Sequence, residues 1–229
     1  MSHSVERHLE VAPDVYDVQI RRFVPGYEAM LEEVAGALLE HLPGGAGRIV
    51  DLGAGTGALS QTIAARLPAA QLTLVDVDAA MLAEAEARLA AHRARIELRR
   101  ASFTDALPEC DAAVASLSLH HIHAPNDKSD MYRNVLRALR PGGVFVNADA
   151  TVPTAPALAE PIRRRWAAHL VEHGDTQAQA FERFAQWATE DRYFGIDEEL
   201  EMLRQAGFVE IDVRWRVGPS TVIVARRSS

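Results

Sequence analysis

The chain has 229 residues, of which 48% are hydrophobic, 24% charged and 6% aromatic, a composition typical of folded globular proteins. Its 24 Lys and Arg against 32 Asp and Glu give a net charge of −8, which argues against direct binding of RNA. Cys110 is the single cysteine, so an intramolecular disulfide is excluded and a reducing, cytoplasmic location is expected. The polar start of the sequence lacks the apolar core of a signal peptide, and no run approaches the roughly 18 apolar residues of a membrane span.

Hydrophobic periodicity predicts two helices between Val15 and Leu42, interrupted at Pro25. After them, short apolar runs alternate with amphipathic stretches, which is typical of a parallel sheet covered by helices. Strands are expected at 48–52, 71–77, 96–99, 112–116 and 144–149, and helices at 59–67, 79–92 and 128–139. The sequence Pro141-Gly142-Gly143 predicts a turn just before the strand at 144–149.

Residues 153–195 break this alternation, since they read as helical and contain six of the chain's 14 aromatic residues. We interpret them as a helical insertion after the fifth strand. Its aromatic surface could close over a ligand that has an apolar portion, or could pair two subunits in a homodimer. A helix at 197–205 and an antiparallel hairpin of strands at 209–213 and 221–225 are expected to complete the chain.

This organisation predicts a single domain over residues 1–229. Its parts are an N-terminal helical lid (1–45), a cofactor-binding core (46–152), a helical substrate cap (153–195) and a C-terminal helix with its hairpin (196–229).

A glycine-rich turn follows the first predicted strand, in the sequence DLGAGTG at 51–57. Glycines at a strand-to-helix turn let a nucleotide approach the backbone, but Gly53, Gly55 and Ala58 also satisfy the dinucleotide-binding pattern. Asp76 closes the next strand about 20 residues later, where a carboxylate accepts hydrogen bonds from ribose hydroxyls. Asp51 favours S-adenosylmethionine over NAD, because the α-ammonium of the former can face a carboxylate and a pyrophosphate cannot.

With SLSLHHI at 116–122 and LRPGG at 139–143, the chain resembles the class I S-adenosylmethionine-dependent methyltransferases from about Tyr16 to Arg226. The resemblance implies an α/β fold with a Rossmann-like, mostly parallel sheet of seven strands whose last strand is antiparallel. Residues 16–27 and 206–208 are similar to a subgroup that includes carboxy-S-adenosylmethionine synthase of tRNA modification. In that subgroup the tyrosine of a Pro-Gly-Tyr sequence contacts the cofactor, which implies this role for Tyr27.

Two departures from the relatives bear on function. The carboxy-S-adenosylmethionine synthases have a loop with fewer glycines and an Asn where Ser116 stands here, so ordinary methyl transfer is expected. Many methyltransferases place an Asp against the adenine amino group after the third strand, whereas this chain has Ser102 and Phe103.

Motif and resemblance together assign the methionine end of the cofactor to the loop, the ribose to Asp76, the adenine to the segments after the second and third strands, and the sulfonium side to Ser116 and Tyr27. The expected cofactor-binding residues are Tyr27, Asp51, Gly53, Ala54, Gly55, Gly57, Asp76, Val77, Ser102, Phe103 and Ser116.

His120 and His121 follow the fourth strand and are candidate catalytic residues, since an imidazole can remove a proton from a methyl acceptor near neutral pH. The alternative is that they cap or pack the loop. His123 and Asp127 lie nearby, but the spacing of these four residues matches no standard metal site, so no metal is expected.

Candidate substrate-binding residues lie in the lid and in the insertion. Tyr16 and Arg21 belong to the lid, where the guanidinium could reach a carboxylate, and Trp166 and His169 share one helical face of the insertion. The run 163–165 of three arginines is expected to be a solvated helix face.

The expected function is methyl transfer to a small molecule with an apolar or aromatic portion. The alternatives are a carboxy-S-adenosylmethionine synthase-like or other tRNA-modification enzyme, and a non-catalytic S-adenosylmethionine-binding module; an NAD-dependent dehydrogenase ranks third.

Overall fold

The computed structural model describes residues 13–229, in which helices surround one seven-stranded sheet. The polar start of the sequence, residues 1–12, lies outside the described residues. The helices are α1 (Pro13–Phe23), α2 (Tyr27–His41), α3 (Ala58–Arg66), α4 (Ala79–Arg88), α5 (Pro125–Ala138), α6 (Pro156–Glu172), α7 (Gln177–Trp187) and α8 (Ile196–Ala206). The strands are β1 (Gly47–Leu52), β2 (Ala70–Asp76), β3 (Ile96–Arg100), β4 (Cys110–Ser116), β5 (Leu139–Ala150), β6 (Val209–Val217) and β7 (Ser220–Arg226).

The strand order is β3-β2-β1-β4-β5-β7-β6. The first five strands are parallel, whereas β7 runs antiparallel to both β5 and β6. The expected α/β fold, with a Rossmann-like sheet and an antiparallel last strand, is therefore confirmed. So is the closing hairpin, whose strands are longer than expected and whose turn is Gly218-Pro219.

Successive strands run outward from β1 to β3, and the chain then returns to place β4 on the other side of β1. In open α/β sheets this reversal of strand order leaves a crevice at the carboxyl ends of the central strands, where ligands bind. The glycine-rich turn after β1 and the Leu119–His121 turn after β4 both lie at that end of the sheet.

Both faces of the sheet are buried, which explains why the central strands read as continuous apolar runs. One face packs against α2, α3 and α4, with Leu38, Ile63 and Leu82 in a shared cluster. The other packs against α5 and α8, with Tyr132, Val135 and Leu203 in a second cluster.

Two elements differ from their expected bounds. The strand expected at 144–149 already begins at Leu139: Cys110 pairs with Leu139 and Ala112 with Val144, so residues 140–143 bulge out of the ladder between these pairs. The helix expected at 79–92 ends at Arg88, and a 3-10 segment, Ala90–Arg95, continues to β3.

The insertion after β5 consists of α6 and α7, and it packs against α1. The Trp166 ring of α6 lies 5.5 Å from Trp187 and 5.0 Å from Phe184 of α7, between ring centroids. Its indole Nε1 donates a 2.7 Å hydrogen bond to the carbonyl oxygen of Phe23 at the end of α1. The insertion and the N-terminal helix thus form one aromatic layer over the carboxyl ends of the strands. Within residues 13–229, no helix combines the length and apolarity that a membrane crossing needs.

Candidate active site

The glycine-rich turn connects β1 to α3 and approaches the β4 turn closely. A Cβ at Gly53 would lie 2.5 Å from the Cβ of Ser118, and the residue has a positive φ of 65°, so only glycine fits. The Ser118 hydroxyl donates a 2.7 Å hydrogen bond to the carbonyl oxygen of Leu52. This contact fixes the turn after β1 against the turn after β4, which carries the two candidate histidines.

Asp51 is a buried carboxylate at the base of this turn. It is 1% exposed, and its Oδ2 accepts a 2.6 Å hydrogen bond from the Ser60 hydroxyl. Burial raises the pKa of Asp51 to about 7, although the Ser60 hydrogen bond opposes the shift, and the nearby charge of Asp76 adds to it. A buried carboxylate with a raised pKa is the kind of group that a bound cation stabilises in its ionised form.

Asp76 holds the backbone of the loop through hydrogen bonds. Its Oδ2 accepts a 2.8 Å hydrogen bond from the Gly55 backbone and its Oδ1 a 2.9 Å bond from the Asp78 backbone. A carboxylate has about four lone-pair sites, so both oxygens keep capacity to accept hydroxyl donors. In the sequence, some 20 residues separate the loop from Asp76. In the structure the two are in direct contact through the hydrogen bond from the Gly55 amide.

Helix α1 is fixed to the loop by Asp17. The Thr56 hydroxyl of the loop donates a 2.7 Å hydrogen bond to Asp17 Oδ1, and Asp17 Oδ2 pairs with Arg88 of α4. The lid is thereby joined to the glycine-rich turn and to the helix that follows β2. Sequence reasoning missed Asp17, because its partners lie 39 and 71 residues away in the chain.

The residues assigned to the adenine follow β2 and β3. Val77 is 36% exposed, and a Phe103 ring atom lies 3.8 Å from the position that a Gly53 Cβ would take. The Ser102 hydroxyl forms a 2.7 Å hydrogen bond with the Thr104 hydroxyl inside a turn closed by Asp105. Ser116, the last residue of β4, is half-buried.

Tyr27 begins α2 and is buried. Burial raises its pKa, and the Asp51 carboxylate contributes to the shift, which places the phenol within electrostatic range of the base of the loop. Arg21 lies with its guanidinium carbon 5.7 Å from the Tyr27 ring centroid and pairs with Glu28. Arg21 is half-exposed and does not line the pocket described below.

The two candidate histidines meet two carboxylates that sequence reasoning missed. His120 Nδ1 lies 2.6 Å from Asp149 Oδ1, at the end of β5, and His120 Nε2 lies 3.7 Å from Asp191 Oδ1. His121 Nδ1 lies 3.1 Å from the same Asp191 oxygen. Asp149 could have been found as the polar end of a buried strand, whereas nothing in the sequence around Asp191 points to this cluster.

Two neighbouring carboxylates raise the pKa of His120. Burial lowers the pKa of His120, but the Asp149 and Asp191 carboxylates outweigh it and raise the pKa to about 9. Burial would raise the pKa of Asp149, yet its contact with His120 holds that pKa below the usual value. The expected role of His120 as a base needs a neutral imidazole, whereas the two carboxylates favour its protonated form.

A pocket of about 520 Å³, counting the part open to solvent, lies between α1, the insertion and the β4 turn. Its lining is mainly aromatic and aliphatic, with the histidine cluster as the polar part. The lining residues are Tyr16, Ile20, Phe23, Val24, Leu117, His120, His121, Ala150, Trp166, Trp187, Asp191 and Tyr193. Of the four expected substrate-binding residues, Tyr16 and Trp166 reach the pocket, whereas Arg21 and His169 do not, since the His169 ring stacks 4.1 Å from that of His173.

The backbone is strained where the pocket meets β4. Leu117 has a φ of 51°, in the left-handed region that a branched side chain rarely adopts, and its amide is held by the Ala148 carbonyl oxygen. This sharp bend turns the chain so that His120 and His121 face the pocket. Strain of this kind is concentrated at functional sites.

Comparison with known proteins agrees with this geometry. Residues 49–143 match the family model of a methyltransferase domain. The carboxy-S-adenosyl-L-methionine synthase of Wolinella succinogenes is 23% identical over 216 residues, which cover 93% of this chain and 90% of that protein. The ubiquinone/menaquinone biosynthesis C-methyltransferase of Syntrophotalea carbinolica is 34% identical over 119 residues, or 50% of this chain and 48% of that protein.

Among solved structures, an O-methyltransferase family 2 protein from Planctomyces limnophilus superposes with a TM-score of 0.65 at 16% identity, over 86% of this chain and 56% of that one. This likeness concerns the fold. The matched family model spans β1 to β5, the strands whose carboxyl ends carry the loop, Asp76 and the β4 turn. These matches support a class I S-adenosylmethionine-dependent methyltransferase.

The crevice fits S-adenosylmethionine. The buried Asp51 suits the cationic end of the amino acid portion, and the free space above Gly55, where a Cβ would meet no atom within 4 Å, admits a ligand close to the backbone. The half-exposed Val77 and the Phe103 ring provide apolar surface for a flat base. These contacts agree with S-adenosylmethionine as the cofactor.

Proposed function

We propose that this methyltransferase acts on a small molecule with an aromatic or apolar portion, and that the acceptor occupies the pocket under α1 and the insertion. The observation that carries the proposal is the lining of that pocket, in which aromatic rings of Phe23, Trp166, Trp187 and Tyr193 surround a polar cluster that contains both histidines. The O-methyltransferase of Planctomyces limnophilus is described in complex with apigenin, which supports an aromatic acceptor.

Residues of the crevice would hold the cofactor in the roles that motif and resemblance assign. Asp51, Gly53, Ala54, Gly55 and Gly57 would hold the methionine end. Asp76 would accept from the ribose hydroxyls, while Val77, Ser102 and Phe103 would border the adenine, and Ser116 and Tyr27 the sulfonium side. When bound, S-adenosylmethionine supplies a methyl carbon activated by the adjacent positive charge.

The chain's own contribution is alignment and, for acceptors that carry a proton, its removal. Tyr16 and Trp166 would orient the acceptor from the lid and the cap. His120 holds a proton at neutral pH because of its two carboxylates, so it would donate to the acceptor or orient it. His121 is then the residue that would accept the acceptor's proton.

The test is turnover on a panel of small aromatic acceptors, followed as release of S-adenosylhomocysteine. Exchange of either histidine for Ala should lower kcat by about 100-fold or more while cofactor affinity, measured by calorimetry, stays unchanged. His92→Ala, an exchange outside the pocket, is the matched control and should keep full activity. Full activity in both pocket variants would reject the catalytic role, and cofactor affinity without turnover on any acceptor would favour a binding module.

A second candidate, synthesis of a carboxylated cofactor, is favoured by the match to carboxy-S-adenosyl-L-methionine synthase over 93% of this chain. Mass spectrometry of the nucleoside that co-purifies with the protein separates the two. The synthase reading expects a sulfonium heavier than S-adenosylmethionine by one carbon dioxide. S-adenosylmethionine or S-adenosylhomocysteine alone supports methyl transfer.

A further inference from the structure

The polar cluster of the pocket brings three potential metal-ligating side chains together. One nitrogen or oxygen atom each of His120, His121 and Asp191 lies within 4.8 Å of the others. His121 Nδ1 is 3.1 Å and His120 Nε2 is 3.7 Å from Asp191 Oδ1. Ligands at about 2.0–2.2 Å from a tetrahedral zinc ion are separated by roughly 3.3 Å, so both distances lie close to that value.

The second polar atom of two of these side chains is held by a neighbour. His120 Nδ1 contacts Asp149 Oδ1 at 2.6 Å, and the Tyr193 hydroxyl donates a 2.5 Å hydrogen bond to Asp191 Oδ2. His120 Nε2 and Asp191 Oδ1 are consequently directed toward each other. Metal-ligating histidines in proteins commonly have a carboxylate on the other ring nitrogen, which fixes the orientation of the ring.

Backbone contacts also join the two chain segments that carry the cluster. The Arg192 amide donates a 2.8 Å hydrogen bond to the carbonyl oxygen of His120, and His123 Nε2 lies 2.6 Å from the carbonyl oxygen of Glu190. The loop that bears Asp191 is therefore attached on both sides of the carboxylate to the turn that bears the histidines. Ligands positioned in this way are preorganised, as a precise site requires.

We propose that His120, His121 and Asp191 bind a divalent transition-metal ion, with zinc as the ion that this donor set favours. Two imidazoles and one carboxylate are typical of sites that keep a coordination position open for a ligand, in zinc enzymes and in iron(II) enzymes alike. The three side chains line the aromatic pocket, so the open position faces the space assigned to the acceptor.

Metal binding as such does not depend on the proposed methyl transfer. Its use does: a bound ion would hold a hydroxyl or carboxylate of the acceptor and lower the pKa of that hydroxyl, which suits an oxygen acceptor. Metal binding would release the proton from His120 Nε2, because a ligating imidazole nitrogen must be deprotonated. With the ion bound, both histidines would serve as ligands, and the ion would replace the proton donation and acceptance proposed for them in the metal-free site. The sequence did not predict this site from the spacing of His120, His121, His123 and Asp127. The reason is that the third ligand, Asp191, comes from the insertion, 70 residues after His121.

The experiment uses the full chain, freed of metal with a chelator and titrated with zinc alone by calorimetry and with cobalt(II) alone by visible absorption. We expect one ion per chain and the ligand-field bands of a low-symmetry cobalt site. Asp149→Asn should weaken binding by about 10–100-fold, as loss of a carboxylate behind a ligating histidine does. His121→Ala and Asp191→Ala should weaken it at least as much.

Asp127→Ala is the matched control, since Asp127 is exposed and outside the cluster, and it should bind zinc as the native chain does. Cofactor affinity, measured on each variant, reports whether the variant is folded. The proposal is overturned if the native chain binds no stoichiometric ion, or if a folded Asp191→Ala variant binds zinc with unchanged affinity. Either result leaves methyl transfer itself intact, because turnover is measured separately with and without the chelator.

Discussion

At the scale of single residues, the cofactor crevice combines one buried acid with one that shapes the backbone. Asp51 accepts a hydrogen bond from the Ser60 hydroxyl, whereas Asp76 accepts hydrogen bonds from the backbone amides of Gly55 and Asp78. The two carboxylates therefore differ in environment although both lie at the carboxyl end of a strand: Asp51 is buried with a raised pKa, whereas Asp76 holds the backbone of the loop.

The affinity for S-adenosylmethionine should fall as the pH falls below about 7. Burial raises the pKa of Asp51 to about 7, and a cationic ligand favours the ionised form, so binding releases a proton wherever Asp51 is protonated. Calorimetric titration at pH 8, 7 and 6 should show a loss approaching tenfold per pH unit at the acid end. The Asp51→Asn variant should bind S-adenosylmethionine weakly at every pH, and its pH dependence gives the part that comes from titration of the ligand. If the affinity of the native chain changes with pH as little as that of Asp51→Asn, the prediction is contradicted.

The raised pKa of Asp51 has the opposite effect on the stability of the ligand-free fold: a lower pH weakens cofactor binding but favours folding. Because the pKa of Asp51 is higher in the folded chain than in the unfolded one, its contribution is most favourable below the ordinary carboxylate pKa and is lost as the pH rises toward about 7. Ligand binding then offsets a cost that this residue imposes on folding.

Asp76→Ala should weaken cofactor binding by about 100-fold or more, since it removes acceptors for the ribose and also frees the Gly55 amide. The measurement is the same calorimetric titration at pH 8, with thermal unfolding to verify that the variant is folded. Asp78→Ala, which removes only the cap of α4, is the matched control. Equal affinity of Asp76→Ala and the native chain would reject the ribose assignment.

At the scale of elements, α1 connects the two halves of the site. Its residue Asp17 contacts the cofactor loop and α4, while its residues Ile20 and Phe23 line the acceptor pocket. In the proposed function, cofactor and acceptor would share this helix as a cover, and we expect the position of α1 to couple the two binding sites.

Asp17→Ala should accelerate cofactor release and weaken cofactor affinity by roughly tenfold, the value of one charge-assisted hydrogen bond. Stopped-flow release and calorimetry measure the two effects. Val18→Ala is the matched control on the same helix, because Val18 is 62% exposed. The coupling would be refuted if Asp17→Ala released cofactor at the native rate.

Helices α5 and α8 are joined by buried charges under the opposite face of the sheet. Glu199 accepts from the Lys128 ammonium and the Tyr132 hydroxyl, and all three side chains are buried. Removing one member of a buried ion pair leaves the other charge without compensation, which is far more costly than the net value of the pair.

Glu199→Ala should lower the free energy of unfolding by roughly 3–5 kcal/mol, measured by urea denaturation. Glu201→Ala, on the exposed face of the same helix, should change it by less than about 0.5 kcal/mol. A double exchange, Lys128→Met with Glu199→Leu, should recover most of the loss, since it removes both charges. A small effect of Glu199→Ala would mean that the Lys128 ammonium finds another partner.

At the scale of the whole molecule, charge sets which partners can approach. The net charge of −8 opposes a polyanion, and the run of arginines at 163–165 includes Arg164, which is two-thirds exposed and lies 3.6 Å from Glu160. Exposed pairs of this kind contribute little to stability, and they weaken a basic patch further. The described surface therefore agrees better with a small acceptor than with a nucleic acid.

Labelled tRNA should show no saturable binding to the native chain at physiological salt, up to about 100 μM protein, by fluorescence anisotropy. An Ala triple variant of residues 163–165 is the comparison. Saturable micromolar binding by the native chain that this variant loses would contradict the prediction and turn attention to RNA.

The sequence by itself determined the fold class and the cofactor. Alternating apolar runs indicate a sheet buried on both faces, and DLGAGTG with Asp76 predicts an adenosine-containing ligand at the end of β1, since both patterns are local in the sequence. It also predicted the insertion and the place of His120 and His121 at the end of β4. Its expectations for element ends differ from the structure where pairing decides them, as in the bulge at 140–143.

Only the tertiary structure decided what surrounds the histidines. Asp149 lies 29 residues after His120 and Asp191 lies 71 residues after it, so no spacing rule connects them, and the charges that raise the pKa of His120 act through space. The same holds for Asp17 and Thr56, and for the separation of Trp166, in the pocket, from His169, outside it. Local patterns specify elements, whereas contacts between distant elements set the chemistry of the site, because they depend on how the helices pack across the ends of the strands.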